Sequence, residues 1–430
     1  MRDGIVQVRV VEGRYERVDI SNASEISEAR VRATLAGVRE DALVHGPTLE
    51  RAVLLLSDLA GIQPNAILEP AAQPGYTNLV LEIAPSRDSE FDATLDNGGS
   101  SFTGRYRLSA GAAWNSPFRI GDRLSARVLT SGEGLFSLRL GYEAPLGASG
   151  LRGNVYGLGT RYELGEEFAA LEASGSARSI GAGVMYPLIR SSEVNLRVQG
   201  AGETRRLEDR IGALEIVNQK NLRLVQWGGG GDFRDSLLGG GVTAFQALVS
   251  HGRLELLTPS LAETDAATAG TQGNFDKILL GAQRIQRITQ ALRLALNFNA
   301  QLAADNLDSS EKFSVGGPTG VRAYPPGEAA GDNVHLIQAE LRYDAGSSLG
   351  GQLTPLVFID YARSRINHQT WEGFTGNNVR DLSGYGVGAE WNLPGQAFAR
   401  GWYARKLGNE PATADTDRAS RVWVQAGLLF

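Results

Sequence analysis

The 430-residue chain contains no cysteine. Disulfide frameworks, thiolate metal sites and cysteine nucleophiles are therefore excluded. Its histidines, His45, His251, His335 and His368, show no ligand spacing, so no metal site is expected. No G-x-x-x-x-G-K phosphate loop occurs, and no cofactor is expected. Excess positive charge is missing as well. The net charge is −6, which argues against a nucleic-acid partner. No apolar run reaches the ~18 residues of a spanning helix. Met1 to Gln7 lacks both a charged n-region and an apolar h-region. That start fits a cytoplasmic protein or a chain whose native N-terminus lies upstream, and the second reading is preferred.

What remains is apolar enough to fold, with 42% hydrophobic and 21% charged residues. Fifty-four glycines exceed the usual share of roughly 7%. Glycine suits turns, bulges and crowded sheet walls better than helices. A membrane protein without a spanning helix has one remaining architecture, the closed barrel, because every backbone group must be satisfied in lipid.

Two regions differ along the chain. Residues 1–84 carry mixed signals. Gly4 to Val10 and Gly13 to Ile20 alternate as strands. Val31, Leu35 and Val38 recur at helical spacing behind Ser27, a candidate cap. Leu49, Ala52, Val53, Leu56 and Leu59 form a second helical stripe, opened by Pro47-Thr48 and closed by Gly61. Ala66 to Leu68 and Asn78 to Ile83 read as strands. This is a small α+β module over 12–84, preceded by a fragment at 1–11 and followed by a polar linker at 85–89.

From residue 90 to 430 the helical signal gives way to short alternating segments. Examples are Phe136 to Glu143, Leu292 to Gln301, Ile337 to Tyr343 and Tyr385 to Trp391. Period-two patterning over about 10 residues is the signature of a strand crossing a bilayer, and the count comes to about sixteen. Boundaries are hardest to place between 150 and 290. The polar faces carry Arg, Glu, Asn and Gln. Alternation alone does not separate a wet-centred barrel from a soluble sandwich. The last segment does, because Val422, Val424, Ala426, Leu428 and Phe430 share one face and the chain stops on an aromatic residue. Outer-membrane barrels resemble this, with a terminal assembly signal to which Trp423, Leu428 and Phe430 are assigned.

The stretch Val315-Gly316-Gly317-Pro318-Thr319-Gly320-Val321-Arg322-Ala323-Tyr324-Pro325-Pro326-Gly327-Glu328, completed by Gly331-Asp332, lies between two convincing strands. Here the chain resembles the two-partner-secretion transporters of the hemolysin-secretion type (TpsB) within the Omp85 superfamily. Their lumenal loop carries a Val-Arg-Gly-Tyr/Phe core, which in the secretion branch commonly reads Val-Arg-Ala-Tyr-Pro. The family's Phe-x-Asp-x-Gly motif appears as Phe358-Ile359-Asp360-Tyr361-Ala362, with alanine replacing the glycine. Val357, Ile359 and Tyr361 share the apolar face, so Phe358 and Asp360 point inward. Asp96 to Gly98, Asn115 to Asp122, Tyr142 to Gly147 and Tyr186 to Arg190 resemble the family's turns. Residues 12–84 resemble its second POTRA domain, and 1–11 the end of the first.

The resemblance implies a mainly β protein: a transmembrane antiparallel barrel preceded by a POTRA module, with a lumenal loop at about 303–333. It implies an outer-membrane translocator, with POTRA in the periplasm, that exports a secreted exoprotein bearing an N-terminal secretion domain. The other implied partners are the lipid bilayer and the barrel-assembly machinery, and the transporter is expected to be a monomer. A signal peptide and plug helix are expected upstream. Gly320, Val321, Arg322, Ala323, Tyr324 and Pro325 form the loop motif, and Arg322 is expected to pair with Asp360 beside Phe358. Tyr324 is expected to stack on the wall. The client is expected to add a strand to a POTRA sheet edge along Asn78 to Ile83, centred on Leu79, Val80 and Leu81. The alternatives are an insertase of the same superfamily or a passive porin. An enzyme is not expected. Gly346-Ser347-Ser348-Leu349-Gly350 matches the G-x-S-x-G elbow only formally, since strands flank it on both sides.

Overall fold

A computed structural model describes residues 12–430. The fragment 1–11, read above as the end of a first POTRA domain, lies outside the described residues. The N-terminal module runs β1 (Arg14–Asn22), α1 (Glu28–Thr34), α2 (Gly46–Ser57), β2 (Ile62–Pro70) and β3 (Tyr76–Pro85). Ser27 occupies the N-cap of α1, although its side chain makes no capping hydrogen bond. Pro47 sits in the first turn of α2, where its missing N–H costs nothing. The two helical stripes converge on one core: Val31, Leu35, Val38, Ala52, Leu56 and Leu59 pack with Leu79, Leu81 and Ile83.

The sheet order is β1-β3-β2, with β1 parallel and β2 antiparallel to β3. This corrects the expected client edge. Leu79, Val80 and Leu81 lie on the central strand, flanked by Val18 to Ile20 on one side and Ala66 to Leu68 on the other. The reason is burial. Leu79 and Leu81 are fully buried under the helices, so the most apolar strand takes the middle and the more polar ones take the edges.

The β3 strand runs to Pro85 and the barrel begins at Ser89, so three residues connect them. The barrel is a closed antiparallel sheet of sixteen strands, from Ser89–Asp96 to Ser420–Leu429. It closes where Gln425 to Leu429 pair with Asp96 to Asp92. A two-residue strand, Ser347–Ser348, belongs to the turn before the thirteenth strand, Gly351–Arg365. In that turn Gly346, Leu349 and Gly350 have positive φ, so the formal G-x-S-x-G match is a strand-to-strand reversal. The sixth to eighth strands are 18, 18 and 20 residues long, far more than the 9–11 that cross a bilayer. Gly228 to Gly231 interrupt the alternation of the eighth strand. There, a Cβ on Gly228 would lie 2.0 Å from the Ala247 carbonyl oxygen.

The lipid face is apolar as the parity required. Val357 and Ile359 are 51% and 50% exposed, and Leu428 and Phe430 are 51% and 63% exposed. Trp423 departs from this. It is 5% exposed and faces the lumen, because it sits one residue out of phase with Val422 and Val424. Of the three residues assigned to the terminal signal, Trp423 thus faces inward, whereas Leu428 and Phe430 lie on the outer face.

The module docks on the rim through α2 and the residues that follow it. The Arg190 guanidinium donates twice to the Asp58 carboxylate, at 3.0 and 2.8 Å. Arg152 donates to the Asp58 carbonyl at 2.6 Å and Arg51 to the Pro187 carbonyl at 2.8 Å. The Ser192 hydroxyl and amide donate to Glu50, and these bonds hold its carboxyl below the usual glutamate range.

Replacing Val357 by Arg places a charge on the lipid face. Urea unfolding in lipid vesicles should show a loss of about 2–4 kcal/mol if that site lies near the bilayer midplane. Unchanged stability would contradict the inside-out assignment of this strand.

Candidate functional site

Between the eleventh strand (Leu292–Ala303) and the twelfth (Asn333–Tyr343), the chain leaves the wall on the rim opposite the module and folds back into the lumen. Its tip is a compact knot of backbone hydrogen bonds. Val321 donates to Val315, Gly317 to Tyr324, and Val315 to Glu328, at 2.7, 3.0 and 3.1 Å. The knot is too tight for side chains at two of its glycines. A Cβ on Gly316 would lie 2.1 Å from the Pro325 oxygen, and one on Gly320 would lie 2.1 Å from the Val315 oxygen. Val315, Val321, Ala323 and Tyr324 are fully buried in a cluster with Leu356, Phe358, Ala362 and Leu382 of the wall. Ala362 packs there with its methyl accommodated, so the missing motif glycine opens no gap.

Arg322 is at the centre. Its Nε and Nη2 donate to the two oxygens of Asp360 at 2.9 and 2.7 Å, and its backbone N–H reaches the same carboxylate at 3.1 Å. Nη1 donates to Glu340 at 2.6 Å. The guanidinium lies 3.5 Å over the Phe358 ring, a cation–π contact. The indole N–H of Trp423 donates to the Arg322 carbonyl at 2.7 Å. Arg322 is 2% exposed and Asp360 is fully buried. The pair is therefore shielded from water, and losing one partner strands a buried charge at a cost of about 3–5 kcal/mol.

Arg322 pairs with Asp360 beside Phe358, the three residues singled out together in the sequence. Glu340, the second acceptor, was not singled out. Its lumenal parity in the segment Ile337 to Tyr343 was the available signal. Trp423 proves to be a loop tether. Tyr324 packs against the wall, fully buried in the cluster with Leu382 and Ala404. Its hydroxyl donates to the Glu410 carbonyl at 3.0 Å, and the Lys406 ammonium sits 4.5 Å over its ring. Pro325 belongs to the descending limb.

A second node holds the loop from above. Glu328, fully buried, accepts from Arg380 at 2.6 Å and from the Thr413 hydroxyl and the Thr413 and Ala414 amides. Arg380 also donates to Glu410 and to the Pro411 carbonyl, at 2.6 and 2.5 Å. A third node joins Asp332 to Lys312 at 2.7 Å. A fourth places Glu311 between Lys277 and Arg205, at 2.7 and 2.9 Å. Every buried carboxylate of the loop thus meets a cation, as burial demands. Two wall glycines of the fourteenth strand, Val379–Leu393, make room. A Cβ on Gly384 would lie 2.6 Å from that of Ala323, and one on Gly386 would lie 2.5 Å from the Phe358 ring.

At the other rim a cavity of about 1040 Å³ lies between the module and the wall. It is lined by Asp58 to Ile62 on one side and by Glu90, Arg123, Arg139, Tyr156 and Arg197 among others on the wall. The strand β2 starts at its edge, at Ile62. Among the described residues, the outer edge of β2 pairs with no other strand, and Ile67 and Leu68 there are 40% and 47% exposed.

Comparisons with known proteins agree with this geometry. Residues 75–391 match the family described as haemolysin secretion/activation protein ShlB/FhaC/HecB. The heme/hemopexin transporter protein HuxB of Haemophilus influenzae is 25% identical over 419 residues, covering 96% of this chain and 74% of HuxB. The outer membrane transporter CdiB of Dickeya dadantii is 23% identical over 368 residues, covering 83% of this chain and 64% of CdiB. In three dimensions, CdiB from Escherichia coli superposes with a TM-score of 0.79 at 17% identity, covering 98% of this chain and 77% of that one. BamA from Haemophilus ducreyi lacking POTRA domains 1–3 gives 0.62 at 12% identity, covering 97% of this chain and 85% of that one. These two likenesses establish the fold.

The Arg322→Ala and Asp360→Ala variants should each lose about 3–5 kcal/mol in urea unfolding, and the double variant should lose less than their sum. Additive losses would mean that the two groups act independently.

Proposed function

We infer the route of export from one premise: the chain belongs to the haemolysin secretion/activation protein family ShlB/FhaC/HecB and is an outer-membrane transporter of the two-partner secretion type. The client arrives unfolded in the periplasm and adds a strand to the free edge of β2 in the POTRA module. It then passes through the rim cavity into the lumen. The observation that carries this reading is the position of β2: its unpaired edge begins at the mouth of the cavity that opens into the barrel. A main chain held by backbone hydrogen bonds along that edge is delivered to the entrance without release. Docking of α2 on the rim, through Asp58 with Arg190 and Glu50 with Ser192, keeps the edge aligned with the entrance.

The lumenal loop occupies the path and must move for a chain to pass. Arg322, Asp360 and Glu340 form the node whose opening releases it. The periplasm offers no ATP, so folding of the client outside, which prevents backsliding, supplies the direction. The final strand, with Leu428 and Phe430 outward, is the segment the barrel-assembly machinery reads during insertion, and the transporter acts as a monomer. Family members are transporters, and no catalytic role is assigned to any residue.

The test uses cells expressing the intact transporter and a filamentous client bearing an N-terminal secretion domain. Removing residues 12–84 should leave the client in the periplasm. The Ile67→Lys/Leu68→Lys variant, which sets charges on the open edge, should cut secretion about tenfold or more while the barrel assembles normally. Full secretion without the module would refute periplasmic capture.

A further inference from the structure

The long strands in the first half of the barrel rise beyond the membrane, and their outer faces change character at one level. On the sixth strand (Ala173–Arg190) the outward residues run Tyr186, Val184, Ala182 and Ile180, and the next outward position is Arg178. On the eighth (Ile216–Asp235) they run Gly229, Trp227 and Val225, followed by Arg223. The seventh (Val194–Ile211) reaches Arg206 after Gly202 and Thr204, and the ninth (Gly241–Leu256) reaches Arg253 after Val249 and His251. Ile180 at 65% exposed and Val225 at 55% are the outward apolar positions immediately before Arg178 and Arg223 on their strands. The arginines face away from the lumen, because their neighbours Ser179, Leu222, Leu224 and Leu254 are buried inside it.

The four arginines are exposed and adjacent. Arg178 stands directly opposite Arg206 across one strand pair, and Arg223 directly opposite Arg253 across another. Arg206 and Arg223 lie on neighbouring strands, two residues apart in register. Like charges directly opposite destabilise a sheet. Among the described residues, none of the four forms an ion pair with a carboxylate. The nearby outward acids are engaged elsewhere or stand apart. Glu208 is hydrogen-bonded by Arg210 and Gln219 and also lies in the field of Arg178, Asp276 is paired with His251, and Glu255, two residues from Arg253 on the same face, makes no ion pair. Two facing arginine pairs with no ion-paired carboxylate of their own present a surface that an external anion can neutralise. Its height is one outward position above the apolar residues, toward the rim opposite the module.

We propose that Arg178, Arg206, Arg223 and Arg253 form a binding belt for phosphorylated glycolipid headgroups of the outer leaflet. Guanidinium groups match phosphate with paired donors, and a lipid whose acyl chains lie along Ile180 and Val225 brings its phosphates to this level. The bound lipid relieves the repulsion within both arginine pairs and so orients this sector of the barrel against the leaflet.

The test measures binding of bisphosphorylated lipid A, and of the same lipid after phosphatase treatment, to the full chain in detergent micelles. The phosphorylated form should bind at least about tenfold more tightly. The variant Arg178→Gln/Arg206→Gln/Arg223→Gln/Arg253→Gln should lose that preference, and the corresponding four-lysine variant should retain most of it. Heat-modifiable gel mobility reports folding. If the four-glutamine variant does not fold, Arg178→Gln/Arg206→Gln and Arg223→Gln/Arg253→Gln carry the same test pair by pair. Equal binding of the two lipids, an unchanged preference in the glutamine variants, or displacement by millimolar inorganic phosphate would each overturn the proposal.

Discussion

Arg322 is a permanent cation with 2% of its surface exposed, and the interior of this barrel is arranged around that fact. A guanidinium out of water needs acceptors for its donors and countercharge for itself. Asp360 accepts along one edge, Glu340 accepts the remaining Nη1, and the Phe358 ring covers the flat face. Those partners come from the twelfth and thirteenth strands, and Trp423 on the sixteenth holds the backbone carbonyl of the same residue. One loop residue therefore ties together wall elements far apart in sequence, including the last strand, which closes the sheet.

The rest of the loop follows the same logic. Each acidic residue carried into the interior, Glu311, Glu328 and Asp332, meets a cation there. A buried ionic network adds less to net stability than to definition. It tolerates one arrangement and penalises others, because a half-made node leaves charges without partners. A loop held by such contacts sits in one defined place in the lumen.

The two faces of the wall obey opposite solvents. Inside, alternation places Arg, Glu and Asp where water and the loop can satisfy them. Outside, it places valine, isoleucine and aromatic residues against lipid. Where strands outgrow the bilayer, the outer face turns polar again, and the arginine belt marks that turn. At the opposite rim the contacts between α2 and the barrel turns fix an otherwise separate small domain beside the lumen entrance.

By itself the sequence determined what depends on local period and composition. The alternation of Phe136 to Glu143 and of Ile337 to Tyr343 specified strands with one wet and one lipid face. Parity put Asp360 inward and Leu428 and Phe430 outward, and the Val321-Arg322 stretch, through resemblance, marked the loop and its partner. Only the tertiary structure decided the order of the module's sheet. The parallel pairing of β1 with β3 joins segments separated by two helices, and it moved Leu79 to Leu81 from an edge to the centre. It alone made Glu340 a second acceptor, gave Trp423 its tether to the Arg322 carbonyl, and brought Glu328 to Arg380. It also set Arg178 against Arg206. The physical reason is common to all of these. A side chain's face is encoded every second residue along its own strand, whereas its partner depends on register and closure between strands, which the chain settles only when the whole barrel shuts.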